Sequence, residues 1–255
     1  MIIDCNAHLG HWPFRHLNDS QPDDFVALMD RRGVTQACVA PFQGLLYGDV
    51  RPANDWLIEA IAPHRDRLIP HAAINPNFPD WERDFGEAVD GGFGGVRLYP
   101  NYHSYELGDG CLTDLMAAAK EQGVTVNIHL RMYDERLHHP RCMVPPVAVT
   151  EAGAVAQQFP EVNVVLCNIK TAEIMGIAED IRSLPNLYVE ISNLEGTGGV
   201  EKLVAQIGAA SIVFGTHAPY QYMDAALLKM KESVLSEEDS AAIFYKNARA
   251  WMTAA

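Results

Sequence analysis

Short apolar runs of β type alternate with longer amphipathic segments eight times along this chain, and that alternation narrows the available folds more than any other feature. The runs are Ile2 to His8, Gln36 to Pro41, Leu68 to Ile74, Gly95 to Pro100, Val124 to Leu130, Val162 to Cys167, Asn186 to Ile191 and Ser211 to Gly215. Helical patterns follow them at Asp24 to Arg32, Asn54 to Pro63, Trp81 to Asp90, Leu112 to Gln122, Val147 to Gln158, Thr171 to Leu184, Val200 to Ile207 and Met223 to Ser233. Successive runs begin roughly 24 to 38 residues apart, the size of one βα unit. Eight such units in 255 residues predict an α/β chain folded as a (β/α)8 TIM barrel, one domain spanning 1–255. A doubly wound open sheet is the rival. The turn after the first run, Leu9-Gly10-His11-Trp12-Pro13, is not the glycine-rich phosphate turn that such a sheet often carries. An extra C-terminal helix is predicted over Glu237 to Met252, opened by Ser236 with Asp239 three residues on.

Connection lengths agree with a barrel. Helix-to-strand links such as Arg32-Gly33-Val34 and Gln122-Gly123 are tight, whereas strand-to-helix links such as Gly10 to Pro22, Asn101 to Cys111 and Arg131 to Val147 are long. The long links all leave the C-terminal ends of strands, the rim where barrel enzymes keep their chemistry.

Composition removes other classes. With 48% hydrophobic and 20% charged residues the chain has the balance of a globular protein, and no apolar run reaches the ~18 residues of a membrane span. Its 19 Lys and Arg against 33 Asp and Glu give a charge of −14, which argues against nucleic acid and anionic membrane as partners. A small-molecule substrate remains, with a homo-oligomer compatible by analogy of fold. Cys5, Cys38, Cys111, Cys142 and Cys167 are widely spaced and odd in number, so they are expected as free thiols in the cytoplasm. No secretory pattern precedes the first strand.

Alternation along strands sorts side chains by face. It groups Asp4, Asn6 and His8 against Ile3, Cys5 and Ala7, and Val164, Leu166 and Asn168 on one face of the sixth strand. Polar residues that should face inward form a ring: Asn6, His8, His71, Arg97, Tyr99, Asn127, His129, Asn168, Glu190 and His217. Burying so many polar groups without a use would be costly. Arg97 suits a substrate carboxylate, or pairs internally with Glu190 or Asp4. Tyr99 donates to a carbonyl or packs, and Glu190 is the inward carboxylate able to act as base. His11, His16, His103, His138 and His139 lie on loops and are expected in solvent, although His138 and His139 could reach the site. Trp12 to Arg15 could wall the pocket. Gly196 to Gly199 is expected as a flexible connection rather than an anion site.

Ordered fragments carry a resemblance. Ile3-Asp4-Cys5-Asn6-Ala7-His8 resembles the strand-1 signature D-x-H-x-H of amidohydrolase-superfamily barrels, and Phe214-Gly215-Thr216-His217-Ala218-Pro219 resembles their F-G-S/T-D-x-P segment. Gly95 to Pro100 and Val126 to His129 resemble the strand-4 and strand-5 segments. The chain is most similar to the amidohydrolase-2 branch, which contains aminocarboxymuconate-semialdehyde decarboxylase and related decarboxylases, hydratases and lactonases. The resemblance implies a divalent metal held by two strand-1 histidines, a strand-5 histidine and a strand-8 aspartate, with a strand-6 histidine assisting. Here Asn6 replaces the first histidine, Asn168 stands at the strand-6 position, and His217 replaces the aspartate. Two readings follow. His8, His129 and His217 bind one divalent metal, Zn if any, or the site works without metal. The implied activity is hydrolysis of a lactone or amide in a small, carboxylated cyclic compound. In it His217 or Glu190 acts as base, His129 and Asn168 assist, and Arg97, Tyr99 and Asn6 hold the substrate. Non-oxidative decarboxylation and a barrel that only binds a ligand are the alternatives.

Overall fold

The structure is a computed structural model that describes residues 1–133, 136 and 143–252. His138, His139 and Cys142 therefore lie outside the described residues. Among those described, eight strands run in chain order round one parallel sheet: β1 (Ile3–Leu9), β2 (Gln36–Pro41), β3 (Leu68–Ala73), β4 (Gly95–Leu98), β5 (Thr125–His129), β6 (Val164–Cys167), β7 (Leu187–Glu190) and β8 (Ile212–Val213). Helices fill the connections: α1 (Pro22–Arg32), α2 (Arg51–Ala60), α3 (Trp81–Asp90), α4 (Gly110–Gln122), α5 (Val149–Gln158), α6 (Thr171–Gly176), α7 (Ala178–Ser183), α8 (Gly199–Ile207) and α9 (Met223–Glu232). β8 closes on β1 through Cys5 N to Phe214 O (2.8 Å), His217 N to Asn6 O (2.6 Å) and His8 N to Ala218 O (2.9 Å). This is the (β/α)8 TIM barrel that the alternation predicts.

Local chemistry explains the joints. α1 ends at Gly33, whose φ of 71° only glycine adopts without steric cost, and the next strand begins three residues later. The helix predicted over Thr171 to Leu184 divides at Gly176, a weak helix former, into α6 and α7. The C-terminal helix also divides. α10 (Glu237–Ala241) opens on Ser236, whose hydroxyl accepts from Asp239 N at 3.0 Å, as the capping pattern predicts. A wide turn over Ala242–Lys246 then frees the Ile243 carbonyl to accept from Phe214 N, before α11 (Asn247–Trp251).

α11 plugs the barrel floor. Its Ala248 and Trp251 pack on Ile3, Cys5, Val165, Cys167 and Val213. Burying an indole of roughly 200 Å² contributes about 4–6 kcal/mol of gross hydrophobic stabilisation. The floor being closed, chemistry is confined to the opposite rim. No helix among the described residues is long and apolar enough to cross a membrane. Cys5, Cys38, Cys111 and Cys167 are free thiols.

Two strands depart from simple alternation. β1 shifts register between Asp4 and Ala7, so Ile3 and Cys5 point inward to the floor, yet Asn6 and His8 also point inward. Ala7 and Leu9 face Phe25 and Met29 of α1. An irregularity of this kind re-aims side chains, and it sets Asp4 beside β8. On β6, Val164 and Leu166 face the helices, while Val165 and Cys167 face inward. Asn168 rejoins the interior because its φ of 60° turns the chain there.

Candidate active site

The ten polar residues of the inward ring are all buried, none more than 1% exposed, and the barrel brings them together from seven strands and their ends. They form two levels. The lower is a charge relay. Arg97 on β4 donates through one terminal nitrogen to Ala7 O (2.9 Å) and Asn6 Oδ1 (3.2 Å), and through the other to Cys38 O (2.7 Å) and Cys5 O (3.2 Å). Neither a Glu190 nor an Asp4 ion pair forms, and the donors face the main chain. Asn6 turns its amide nitrogen to Glu190 Oε1 (3.2 Å) and Asn168 Oδ1 (2.7 Å). A neutral amide thus links buried cation to buried carboxylate, a task its one acceptor and two donors suit.

Glu190 is saturated. It accepts from Asn168 N (2.5 Å), Ser192 N (2.5 Å) and Ser192 Oγ (2.7 Å) besides Asn6. A side chain at residue 215 would place Cβ 2.5 Å from Glu190 Oε2, so Gly215 makes room for the carboxylate. Asp4 is equally engaged by Thr216 and Asn6 N, and burial pushes its carboxyl up to about 7. His71 accepts from Asn127 Nδ2 at 3.0 Å, on this lower level.

The upper level holds three imidazoles. The His8 ring lies 5.2 Å from that of His129 and 5.3 Å from that of His217, edge-on to both, and stacks on Phe42 at 4.9 Å. Hydrogen bonds assign their tautomers. A guanidinium only donates, so the 3.4 Å contact from Arg97 makes His8 Nε2 an acceptor and places the proton on Nδ1. A carbonyl only accepts, so the 2.8 Å contact to Met132 O places the His217 proton on Nε2 and leaves Nδ1 with its lone pair. Among the described residues, His8 Nδ1, His217 Nδ1 and both nitrogens of His129 have no partner. Burial, then the Arg97 charge, holds His8 and His129 well below the usual imidazole range, and burial lowers His217 to about 3. All three are neutral at pH 7. Tyr99 OH sits 3.1 Å from His8 Nε2, and its ring packs on His129.

Aromatic rings roof the histidines. Trp12 meets Phe42, Tyr133 and Tyr220, and Tyr220 covers His217 with centroids 5.1 Å apart. Arg15 stacks on Tyr220 and donates to its carbonyl. Trp12 is the wall residue that sequence reasoning singled out. Phe42 and Tyr220 were not, though both follow a strand end closely. His103, expected in solvent, is buried with Nε2 on Gly44 O at 2.9 Å, because its loop folds back over the β2 end. The N-terminus of α8, within the glycine-rich connection, takes the Glu232 carboxylate at Gly198 N.

The metal implied by the resemblance can be tested on these donors. The three histidines have no carboxylate among them, and a guanidinium occupies the Nε2 side of His8. With Nε2 facing that guanidinium, His8 carries its proton on Nδ1. Among the described residues no group of three or more His, Cys, Asp or Glu is arranged to hold a metal ion. A dication placed here would meet the fixed positive charge of Arg97, 3.4 Å from His8 Nε2, with no carboxylate among the three histidines to offset it, so this set does not fit one.

The family model for amidohydrolases matches residues 3–252. The chain belongs to the amidohydrolase family. No curated protein matches it. Among solved structures, 2,6-dihydroxybenzoate decarboxylase from Rhizobium is 18% identical with a TM-score of 0.77, covering 98% of each chain. A dihydroxybenzoic acid decarboxylase from Polaromonas with bound manganese and 2-nitroresorcinol is 17% identical, with a TM-score of 0.76, over 98% of this chain and 96% of that one. The 5-carboxyvanillate decarboxylase of Sphingomonas paucimobilis is 15% identical, with a TM-score of 0.76, over 100% and 99%. At such identities these amidohydrolase-like barrels share the fold with this chain.

Proposed function

We propose that this amidohydrolase is a metal-independent, non-oxidative decarboxylase of a small aromatic or enolic acid carrying a hydroxyl next to its carboxylate. The observation that carries the reading is the cluster of neutral imidazoles under an apolar roof, with the His8 ring 5.3 Å from that of His217, a proton on His8 Nδ1 and a lone pair on His217 Nδ1, neither nitrogen bonded within the described residues. A hydroxy acid matches that pair: its carboxylate accepts from His8 and its hydroxyl donates to His217. The names of the similarly folded decarboxylases are in line with this substrate class.

The chain's residues then act as follows. Trp12 and Tyr220 part to admit substrate and exclude water afterwards. His217 Nδ1 takes the hydroxyl proton, and charge flows to the carbon bearing the carboxylate. That carbon receives the proton from the His217 imidazolium. The bond to the carboxylate breaks, carbon dioxide leaves, and the electron pair restores the ring. The product oxyanion takes a proton from solvent. His129 and His8 hold the carboxylate. Arg97 does not touch substrate; it fixes the His8 tautomer from below. Asn6, Asn168 and Glu190 hold Arg97 and the strand ends in register, while Tyr99 braces His8.

Hydrolysis of a lactone is the second reading, favoured by the same free His217 Nδ1, which could activate water. It is the weaker one, because both inward carboxylates are saturated by donors and a water would have to enter beneath the roof.

Incubation with a panel of hydroxybenzoates is expected to release carbon dioxide at a rate unaffected by chelator. His217→Gln should lower that rate by at least ~100-fold, the usual span for a general acid–base residue. Lactone opening without carbon dioxide release would transfer the assignment to the second reading. Binding without turnover of either would leave a ligand-binding barrel.

A further inference from the structure

His217 has a φ of 56°, a left-handed conformation uncommon for a residue with a Cβ. Such a conformation persists only where its surroundings over-determine it. The sheet does so only in part. β8 ends at Val213, and beyond it three main-chain hydrogen bonds, from Cys5 N to Phe214 O, His217 N to Asn6 O and His8 N to Ala218 O, tie this segment to β1 around the isolated bridge of Ala7 with Ala218. None of them involves Thr216, and side chains supply the rest. Asp4 Oδ1 accepts from Thr216 N at 3.0 Å, and Oδ2 accepts from the Thr216 hydroxyl at 2.5 Å. The same hydroxyl accepts from Ala218 N at 3.0 Å. Asp4 Oδ1 also accepts from Asn6 N at 3.0 Å, and the Asn6 carbonyl accepts from His217 N at 2.6 Å. The two residues flanking His217 are thus fastened through one buried carboxyl, and His217 itself through the strand residue that this carboxyl holds.

We propose that Asp4 is a positioning residue that clamps the Thr216–Ala218 turn onto β1 and thereby sets the His217 ring beside that of His8 with Nε2 on Met132 O. The placement stands apart from the reaction; only its kinetic consequence rests on the decarboxylase reading. Loss of the clamp should let the ring rotate and exchange tautomers. Stability alone would not report this, because any buried carboxyl with three donors contributes to it.

The test is the 15N spectrum of histidine-labelled protein, with His217 assigned by its absence in His217→Gly. The wild type should show one fixed neutral tautomer, protonated at Nε2. Asp4→Ala should move both His217 nitrogens toward the tautomer average. Asp4→Asn, whose oxygen still accepts from Thr216 N and Asn6 N, should keep most of the wild-type pattern. Glycine adopts a φ of 56° freely, so the effect of Asp4→Ala on the folding equilibrium constant should shrink at least fivefold in the His217→Gly background. Where Asp4→Ala does not fold, Thr216→Val removes the hydroxyl alone and should give a partial shift of the same signals. Wild-type His217 shifts in Asp4→Ala or Thr216→Val would overturn the proposal, as would an additive cycle. A fixed tautomer with no turnover of hydroxy acids would sink the decarboxylase reading and leave this one standing.

Discussion

Arg97→Met is expected to cost about 3–5 kcal/mol of stability, read from urea unfolding, or to prevent folding. Its guanidinium is fully buried and is the donor to three strand carbonyls and the Asn6 amide oxygen. Methionine fills similar volume but leaves those acceptors without partners, each a desolvation cost of about 1–3 kcal/mol. It also removes the charge that Glu190 faces through Asn6. Lysine should rescue little, because one ammonium cannot serve acceptors spread over β1 and β2. If the variant folds, His8 and His129 should titrate nearer the ordinary imidazole range, since the Arg97 charge helps depress both. Unchanged stability with unchanged histidine titration would mean that the guanidinium does not organise the site.

Acid should unfold the protein through its buried histidines. His8 and His129 stay neutral well below pH 6.5, His217 down to about 3 and His103 down to about 4. Unfolded, all four titrate near 6.5. The unfolded state therefore binds more protons below pH 6.5, and stability falls as pH falls through that window. Each such histidine contributes a slope of about 1.4 kcal/mol per pH unit. Asp4 opposes them. Its carboxyl, raised to about 7, holds a proton in the folded state between its unfolded value near 3.8 and 7, so its share of stability is lost as pH rises through that range. Four histidines against one carboxyl leave a net slope of roughly 4 kcal/mol per unit, which removes about 6 kcal/mol by pH 5, the lower end of an ordinary stability of about 5–15 kcal/mol. Unfolding free energies measured from pH 7.5 to 4.5 check the slope, and His103→Gln should make it shallower. A flat profile down to pH 4.5 would show that the imidazoles are solvated.

Much of this was legible in the chain. Eight βα units and the inward residues of β4, β5 and β7 follow from hydrophobic period, because those strands are regular, and the rim with the long loops follows from connection lengths; that the C-terminal helix plugs the other end does not. Ile3, Cys5, Val164 and Leu166 could not be placed by period, because a register shift in β1 and the left-handed Asn168 break it. Arg97 illustrates a second limit. Sequence supplies a cation pointing inward, but whether it meets a substrate, a carboxylate or main-chain carbonyls depends on the depth at which β4 sets it. The histidine tautomers were out of reach for the same reason: Met132 O and the Arg97 donor that fix them come from distant segments. The Asn6 and His217 replacements were visible at once. Only the contacts show that Asn6 joins Arg97 to Glu190 and that His217 keeps a lone pair on Nδ1.

Titration of the purified protein with Mn²⁺ and Zn²⁺, joined to elemental analysis after growth with both metals in excess, tests most directly whether Arg97 and three neutral histidines work here without a metal. No stoichiometric metal is expected, and no saturable binding that His217→Ala abolishes. One equivalent of tightly held metal, lost in that variant together with activity, would contradict it.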